Sequence, residues 1–428
     1  NNTCRCEGAL PQAASTQETF EALAERIDTQ APAMLETLQV WSAINSGSRN
    51  SEGLARMGEA LCEAFAPLDA TYQCHTPAEA EEITDRGEAV ALALGPVHRF
   101  VKRPEAARRV LLTGHIDTVF AADSAFQSPR FLEDGVLNGP GVADMKGGLI
   151  VMLNALLAFE ASDAAGELGW EVVVNADEEI GSLGSAPLLA ERAPTADFGL
   201  TYEPALADGT LAGGRKGSGN FTIVVKGRAA HAGREFDKGR NAIAAMADVV
   251  RHLHGLNKQR SGITVNCAQV AGGEAPNIVP DIAVLRVNTR VETAADGRWV
   301  ELAMRDIVAE TDRREGFAVT MHGGFTRPPK PVTPAQEALF EAIAGCGERL
   351  GVPVAFQATG GCCDGNNLAA AGLPNVDTLG VRGGKIHSSE EFVLTDSLAE
   401  RAKLSLLILL RFARGELASL ERADKAEA

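Results

Sequence analysis

No apolar run in this chain approaches the ~20 residues that a membrane-spanning helix requires. Aromatic residues are scarce, at 5% of the sequence, which removes the stacking platforms that single-stranded nucleic acids use. Positive charge is in deficit as well: 40 Lys and Arg against 57 Asp and Glu leave a net charge of −17. A field of that sign argues against nucleic acid and anionic membrane as partners. It admits an anionic small molecule only where local arginines reverse it. The eight cysteines (4, 6, 62, 74, 267, 346, 362 and 363) are too few and too unevenly placed for a disulfide scaffold in 428 residues. Neither Cys4-Arg5-Cys6 nor the vicinal Cys362-Cys363 is a CxxC, and both read as ordinary reduced thiols. No signal peptide is visible, so a cytoplasmic protein is expected. The first residue is Asn1 rather than Met, and a leader removed upstream would instead imply a periplasmic or secreted one.

What is present is a long, glycine-rich globular sequence, 45% hydrophobic with 44 glycines, whose length predicts two or three domains. The first 15 residues are small and polar and read as loose. Helical spacing of apolar residues follows over 17–27 and 32–44. Short buried strands over 109–113, 170–175 and 198–202 then alternate with helices over 147–159 and 185–192. Strands separated by single helices imply crossover units and a mostly parallel sheet. From about Gly213 the texture changes to strand 220–226, helix 239–256, strands 263–270 and 282–290, helix 297–311 and strand 317–322. That order is the split ferredoxin-like arrangement. Arg327-Pro328-Pro329-Lys330-Pro331 punctuates its end, and the alternating pattern resumes to Arg414 before a charged, frayed tail. The expectation is an α/β catalytic domain (1–213 and 327–428) with a mostly parallel mixed sheet flanked by helices. An α+β domain over 214–326 is inserted into it.

Several short segments carry chemistry, each with a bland alternative. In Gly114-His115-Ile116-Asp117, an extended segment puts His115 and Asp117 on one side, where the carboxylate can orient the imidazole as a metal ligand; alone, HxD is also just a surface histidine near an aspartate. Asn138-Gly139-Pro140-Gly141-Val142-Ala143-Asp144 is neither GxGxxG nor a Walker loop, so a phosphate cradle is excluded, and Asp144 alone could be a helix cap. Asp177-Glu178-Glu179 follows a strand with nothing basic beside it in sequence. Tyr202-Glu203-Pro204 alone is a turn. His387 lies on the glycine-rich loop Gly383-Gly384-Lys385-Ile386-His387. Each segment falls at or past the carboxyl end of a predicted parallel strand, where open α/β sheets gather ligands. Two histidines with several carboxylates and no cysteine form a hydrolytic zinc or manganese set.

Taken together, GHIDTV, GPGVADMKGG, ADEEIGS, YEP, GRAAHAG, APNIVP and GGKIHSSEEF resemble, in order and spacing over about residues 110–392, the dinuclear zinc metallopeptidase family. That family includes aminoacylase, acetylornithine deacetylase, succinyl-diaminopimelate desuccinylase and glutamate carboxypeptidase. The resemblance implies two Zn2+ per chain, with Co2+ or Mn2+ as substitutes. His115, Asp144 and Glu203 would hold one and Asp144, Glu179 and His387 the other, with Asp144 shared between them. It implies Glu178 as general base, Asp117 as partner of His115, and a cis peptide at Asp144-Met145. The inserted domain becomes a lid and dimerisation domain whose His231 reaches the other subunit's site in a homodimer. Asn277 and Arg290 would contact substrate, with Arg327 a weaker second clamp. The expected partner is a small amide or dipeptide-like substrate bearing a carboxylate. The motif run is nearest the glutamate carboxypeptidase type, with an N-acyl-amino-acid deacylase, or a non-catalytic binding protein on the same fold, as alternatives. Two departures bear on this. The stretch from Ala205 to Gly214 has no Lys or Arg where the folate-cleaving enzymes carry a base, and Cys363 stands where the family's loop usually has Ser or Thr.

Overall fold

Alternate residues of the buried strands face opposite layers, and this builds the larger half of the molecule. The structure, a computed structural model, describes residues 19–426. The N-terminal stretch expected to be loose lies outside the described residues, as do Cys4 and Cys6. Six strands form one sheet in the order Thr71–His75, Val97–Lys102, Leu168–Asn175, Arg108–His115, Phe198–Thr201, Asn375–Val376. The last four pair in parallel and the first two antiparallel, so the sheet is mixed and mostly parallel. Val110, Leu112, Val172 and Val174 point to one face, beneath the helices Phe20–Ser42, Lys146–Glu160 and Ser397–Ala413. Leu111 and Val173 point to the other, where they meet Leu189 and Leu368 of the helices Ala186–Arg192 and Asp364–Ala370. Strands covered on both faces must be apolar throughout, which is why these segments read as unbroken hydrophobic runs.

The strands Thr264–Gly272, Ile282–Val291, Gly217–Lys226 and Ala318–Arg327 form a second sheet in that order, all antiparallel. The helices Ala242–Gly255 and Ala294–Asp312 pack on it around a separate core that includes Phe221, Met246, Leu285 and Met304. This is the ferredoxin-like order expected from the sequence.

Three expectations need correction. The two N-terminal helices are one, Phe20–Ser42, running through Pro32. Leu23, Ile27, Met34, Leu38 and Trp41 form a single buried face on both sides of the proline, whose ring is exposed. Burial of that face outweighs the one backbone bond a proline removes. Within the described residues the charged tail is anchored rather than frayed, because Asp197 accepts from Arg422 N (2.7 Å) and pairs with Lys425. The strand expected to stop at His322 continues through Gly323 and Gly324 to Arg327, which brings that arginine into the catalytic half. A five-stranded sheet of very short strands, among them Arg382–Gly384 and Phe392–Leu394, was not expected at all. Its strands are too short to show a period.

Where the chain passes between the halves, Arg215 and Lys330 exchange backbone hydrogen bonds (2.9 and 3.0 Å). Both side chains converge on the buried Asp377: Arg215 makes two bonds of 2.8 and 2.9 Å, and Lys330 one of 2.7 Å. Burial alone would raise the Asp377 pKa, but the two cations hold it below the ordinary carboxylate value. Asp377→Ala, which strands two buried cations, is predicted to cost ~3–5 kcal/mol in a urea titration. A loss below ~1 kcal/mol would refute that account. A carboxylate depressed in the folded state stabilises above its unfolded pKa of ~3.9 and ceases to do so as pH falls through the folded value. This cluster therefore contributes to stability at neutral pH and is lost only in acid.

Candidate metal centre and catalytic cleft

Five loops at the carboxyl ends of the strands bring the sequence-predicted ligands together. His115 ends the strand Arg108–His115 and is 1% exposed. Its Nδ1 donates to the Asp117 carbonyl (2.9 Å), with the Asp117 carboxylate 3.3 Å away, which leaves Nε2 facing Asp144 Oδ1 at 3.2 Å and Glu203 Oε1 at 3.5 Å. Asp144 precedes the helix Lys146–Glu160 and is followed by a cis peptide to Met145. It does not cap that helix; its Oδ2 lies 3.2 Å from His387 Nε2, which is also 3.2 Å from Glu179 Oε2. The helix start can approach Glu203 this closely because residue 148 is glycine: a Cβ there would stand 1.9 Å from the Tyr202 carbonyl oxygen. His387 adopts φ +63°, a left-handed conformation that a non-glycine residue keeps only where its surroundings hold it. The short strands Arg382–Gly384 and Phe392–Leu394 flank its loop.

Asp117 does more than orient His115. Its carboxylate accepts from Ser48 Oγ (2.6 Å) and from the backbone N–H groups of Glu178 (3.2 Å) and Glu179 (3.1 Å), and so fixes the turn that presents both glutamates. Asp177 braces the far side of the same turn, accepting from Gly184 N, Ser185 N and Ser185 Oγ.

The electrostatics are those of too many anions in too little water. Burial, and then the Asp144 charge, push Glu179 up to about 8 and drive Glu203 well above its ordinary range. Burial also raises Glu178, against the pull of Arg327. The Asp144 and Glu179 contacts lift His387 to about 11. Burial opposes charge on His115, yet Glu203, Asp117 and Asp144 together raise it well above the usual imidazole value. Glu203 Oε1 is buried and, beyond His115 Nε2 at 3.5 Å, has no hydrogen-bond partner among the described residues. Ligand atoms of His115, Asp144 and Glu179, and of His115, Glu178 and Glu203, lie within 4.8 Å of one another, a spacing that could hold metal ions.

These groups open on a cleft of about 530 Å³ whose far wall includes Ser218, Asn288 and Arg290 of the inserted sheet. Arg290 donates to Asn288 Oδ1 (3.0 Å) and Cys362 Sγ (3.2 Å) and makes no ion pair among the described residues. Both Cys362 and Cys363 line the cleft, and burial pushes the Cys363 thiol well above its ordinary pKa, the opposite of an activated nucleophile.

Arg327, expected as a second substrate clamp, also lines the cleft. It is 3% exposed and its guanidinium is engaged by Glu178 and Asp364. His231 and Asn277 are brought to each other but not to this cleft: Ala232 N donates to the Asn277 carbonyl (2.9 Å), and both side chains are exposed on the inserted domain. Sequence reasoning missed Glu391, whose carboxylate accepts from Gly141, Ala143 and Asp144 N–H groups and shapes the Asp144 loop. It also missed Asp364. One acidic residue in a glycine-rich loop gives no local signal of either role.

Residues 111–411 match the profile of Peptidase family M20/M25/M40. Over 409 residues the chain is 26% identical to carboxypeptidase G2 of Pseudomonas sp. (strain RS-16), spanning 94% of this chain and 95% of that protein. Over 271 residues it is 30% identical to succinyl-diaminopimelate desuccinylase of Maricaulis maris, spanning 58% of this chain and 68% of that one. Among solved structures it resembles an M20 family metallo-carboxypeptidase from Sulfolobus solfataricus (TM-score 0.69, 16% identity, 89% of this chain and 99% of that one). A tripeptidase from Staphylococcus aureus is similar in fold too (TM-score 0.68, 23% identity, 90% and 99%).

Proposed function

Since the chain belongs to peptidase family M20/M25/M40 and is a metallopeptidase, we propose that it hydrolyses the amide bond of a small carboxylate-bearing substrate with two zinc ions. The observation that carries this is the pair of ligand sets sharing Asp144: His115 and Glu203 within 3.5 Å of one another, and His387 within 3.2 Å of both Asp144 and Glu179. His115, Asp144 and Glu203 would hold one zinc, and Asp144, Glu179 and His387 the other. The donors fit: borderline imidazoles and hard carboxylates suit zinc, and the Glu203 oxygen that lacks a hydrogen bond among the described residues and the raised Glu179 mark anions short of a cation. Bound zinc would polarise the scissile carbonyl and acidify water.

The chain's own groups do the rest. Glu178 takes a proton from the attacking water and delivers it to the leaving nitrogen, so the C–N bond breaks as the amine gains the proton. Asp117 keeps Glu178 and His115 in register through the contacts above. Arg290, the cleft arginine without an acidic partner, receives the substrate carboxylate. Release of a C-terminal amino acid is favoured over N-acyl deacylation by near full-length similarity to a carboxypeptidase. The unit over 214–326 would serve as lid and dimer interface, with His231 and Asn277 acting on a second copy's cleft.

A panel of N-acyl and N-aminoacyl amino acids assayed with added zinc tests the whole scheme; no turnover of any member sinks it. Within that panel, Arg290→Ala is predicted to lower kcat/KM by ~2–3 kcal/mol, roughly 30- to 150-fold, mostly through KM. Substrates whose carboxylate is amidated should lose nothing further. An unchanged preference for the free acid would remove Arg290 from this role.

A further inference from the structure

Arg327 ends a strand of the inserted sheet, paired with Ser218 beside a register shift, yet its guanidinium lies in the catalytic half. One Nη2 donates to the Glu178 carboxylate (2.8 Å), the Glu178 carbonyl (3.1 Å) and Ser182 Oγ (2.9 Å). Nη1 meets the Gly181 carbonyl (3.2 Å) and Asp364 Oδ1 (3.1 Å). Asp364 is itself fixed by Ser182 Oγ (2.6 Å) and by Asn175 Nδ2 (2.7 Å), at the end of the strand that precedes the turn. Every edge of the guanidinium that faces the turn is thus occupied by protein. A planar fork that spans two carboxylates and two carbonyls locks a rotamer in a way that a point charge cannot.

We propose that Arg327 is a positioning residue for the base: anchored by Asp364, it holds the Glu178 carboxylate toward the reacting water. It is not a binder of substrate. This rests on the reading of Glu178 as general base. Because Arg327 belongs to a strand of the inserted domain, the aim of the base is tied to how that domain is seated. A clamp for a substrate carboxylate would need free N–H groups facing the cleft, as on Arg290. On Arg327, which also lines the cleft, both terminal nitrogens donate to the turn that carries the base and to Asp364.

The test uses the zinc-loaded protein and the variants Arg327→Met and Arg327→Lys, with metal content measured in each. Positioning predicts that kcat falls by about 100-fold in Arg327→Met, within the range general base catalysis contributes. KM should stay within about threefold and zinc content should not change. Arg327→Lys, whose ammonium cannot span both carboxylates, should lie between the two and keeps a buried cation should the methionine variant fail to fold. A rise in KM of tenfold or more with kcat kept, in either variant, overturns the proposal in favour of a clamp. A crystal structure of a folded variant reads the Glu178 rotamer without turnover. A displaced carboxylate supports the proposal and an unmoved one overturns it, even if the hydrolytic reading failed for want of any substrate.

Discussion

Glu178→Ala is expected to abolish hydrolysis, lowering kcat by about 10³-fold, while two zinc ions per chain remain bound. The expected size follows from what a positioned base supplies, ~10²–10⁴. Retention of metal follows from the geometry. His387 contacts Asp144 and Glu179, and His115 contacts Asp144 and Glu203, so neither proposed ligand set uses Glu178. Glu178 is instead paired with Arg327 at 2.8 Å. Its removal leaves a buried arginine with Asp364 as its remaining acidic partner, so some loss of stability should accompany the loss of rate. A circular dichroism melt separates that cost from the chemistry. Turnover within tenfold of the unaltered protein, at full zinc content, would show that another group takes the proton.

Removing the metal should have an effect of the same order by a different route. Exhaustive chelation is predicted to eliminate activity and to lower the melting temperature; added zinc should restore both. The stability term is mass action, since a ligand that binds only the folded chain at ~1,000 times its Kd stabilises it by ~4 kcal/mol. The structure explains why the metal-free site should suffer. Asp144, Glu178 and Glu203 are buried, the Glu179 side chain is nearly so, and among the described residues Glu203 Oε1 has no hydrogen bond, only His115 Nε2 at 3.5 Å. Full activity at a zinc content far below two per chain would overturn the two-metal scheme.

The proposed ligands were legible because each stands in a short, chemically improbable run at a strand end. His115 ends a continuous apolar strand, Asp144 precedes an apolar helix after one glycine-rich turn, and Glu203 stands before a proline. The core strands were legible for a related reason: a strand buried on both faces has no polar alternative. What Arg327 faces was not legible because its strand contains Gly323 and Gly324, which argue for a stop, and because its partner Glu178 lies 149 residues away. The N-terminal helix was split at Pro32 because local propensity is visible in sequence and the burial of the face opposite the ring is not.

The fold class, the candidate donors and the absence of any basic neighbour for Asp177-Glu178-Glu179 were legible in the order of residues alone. Those follow from periodicity and residue chemistry, which are local. The tertiary structure supplies what each carboxylate faces, and the roles proposed for these acids, as ligand, brace or base, depend on that. Asp177 faces Ser185, Glu179 faces His387, and Glu178 faces an arginine delivered from the inserted domain. Burial makes the difference consequential: away from water, an anion must find its counter-charge or its donors within a few ångströms, and chain topology selects which one it finds.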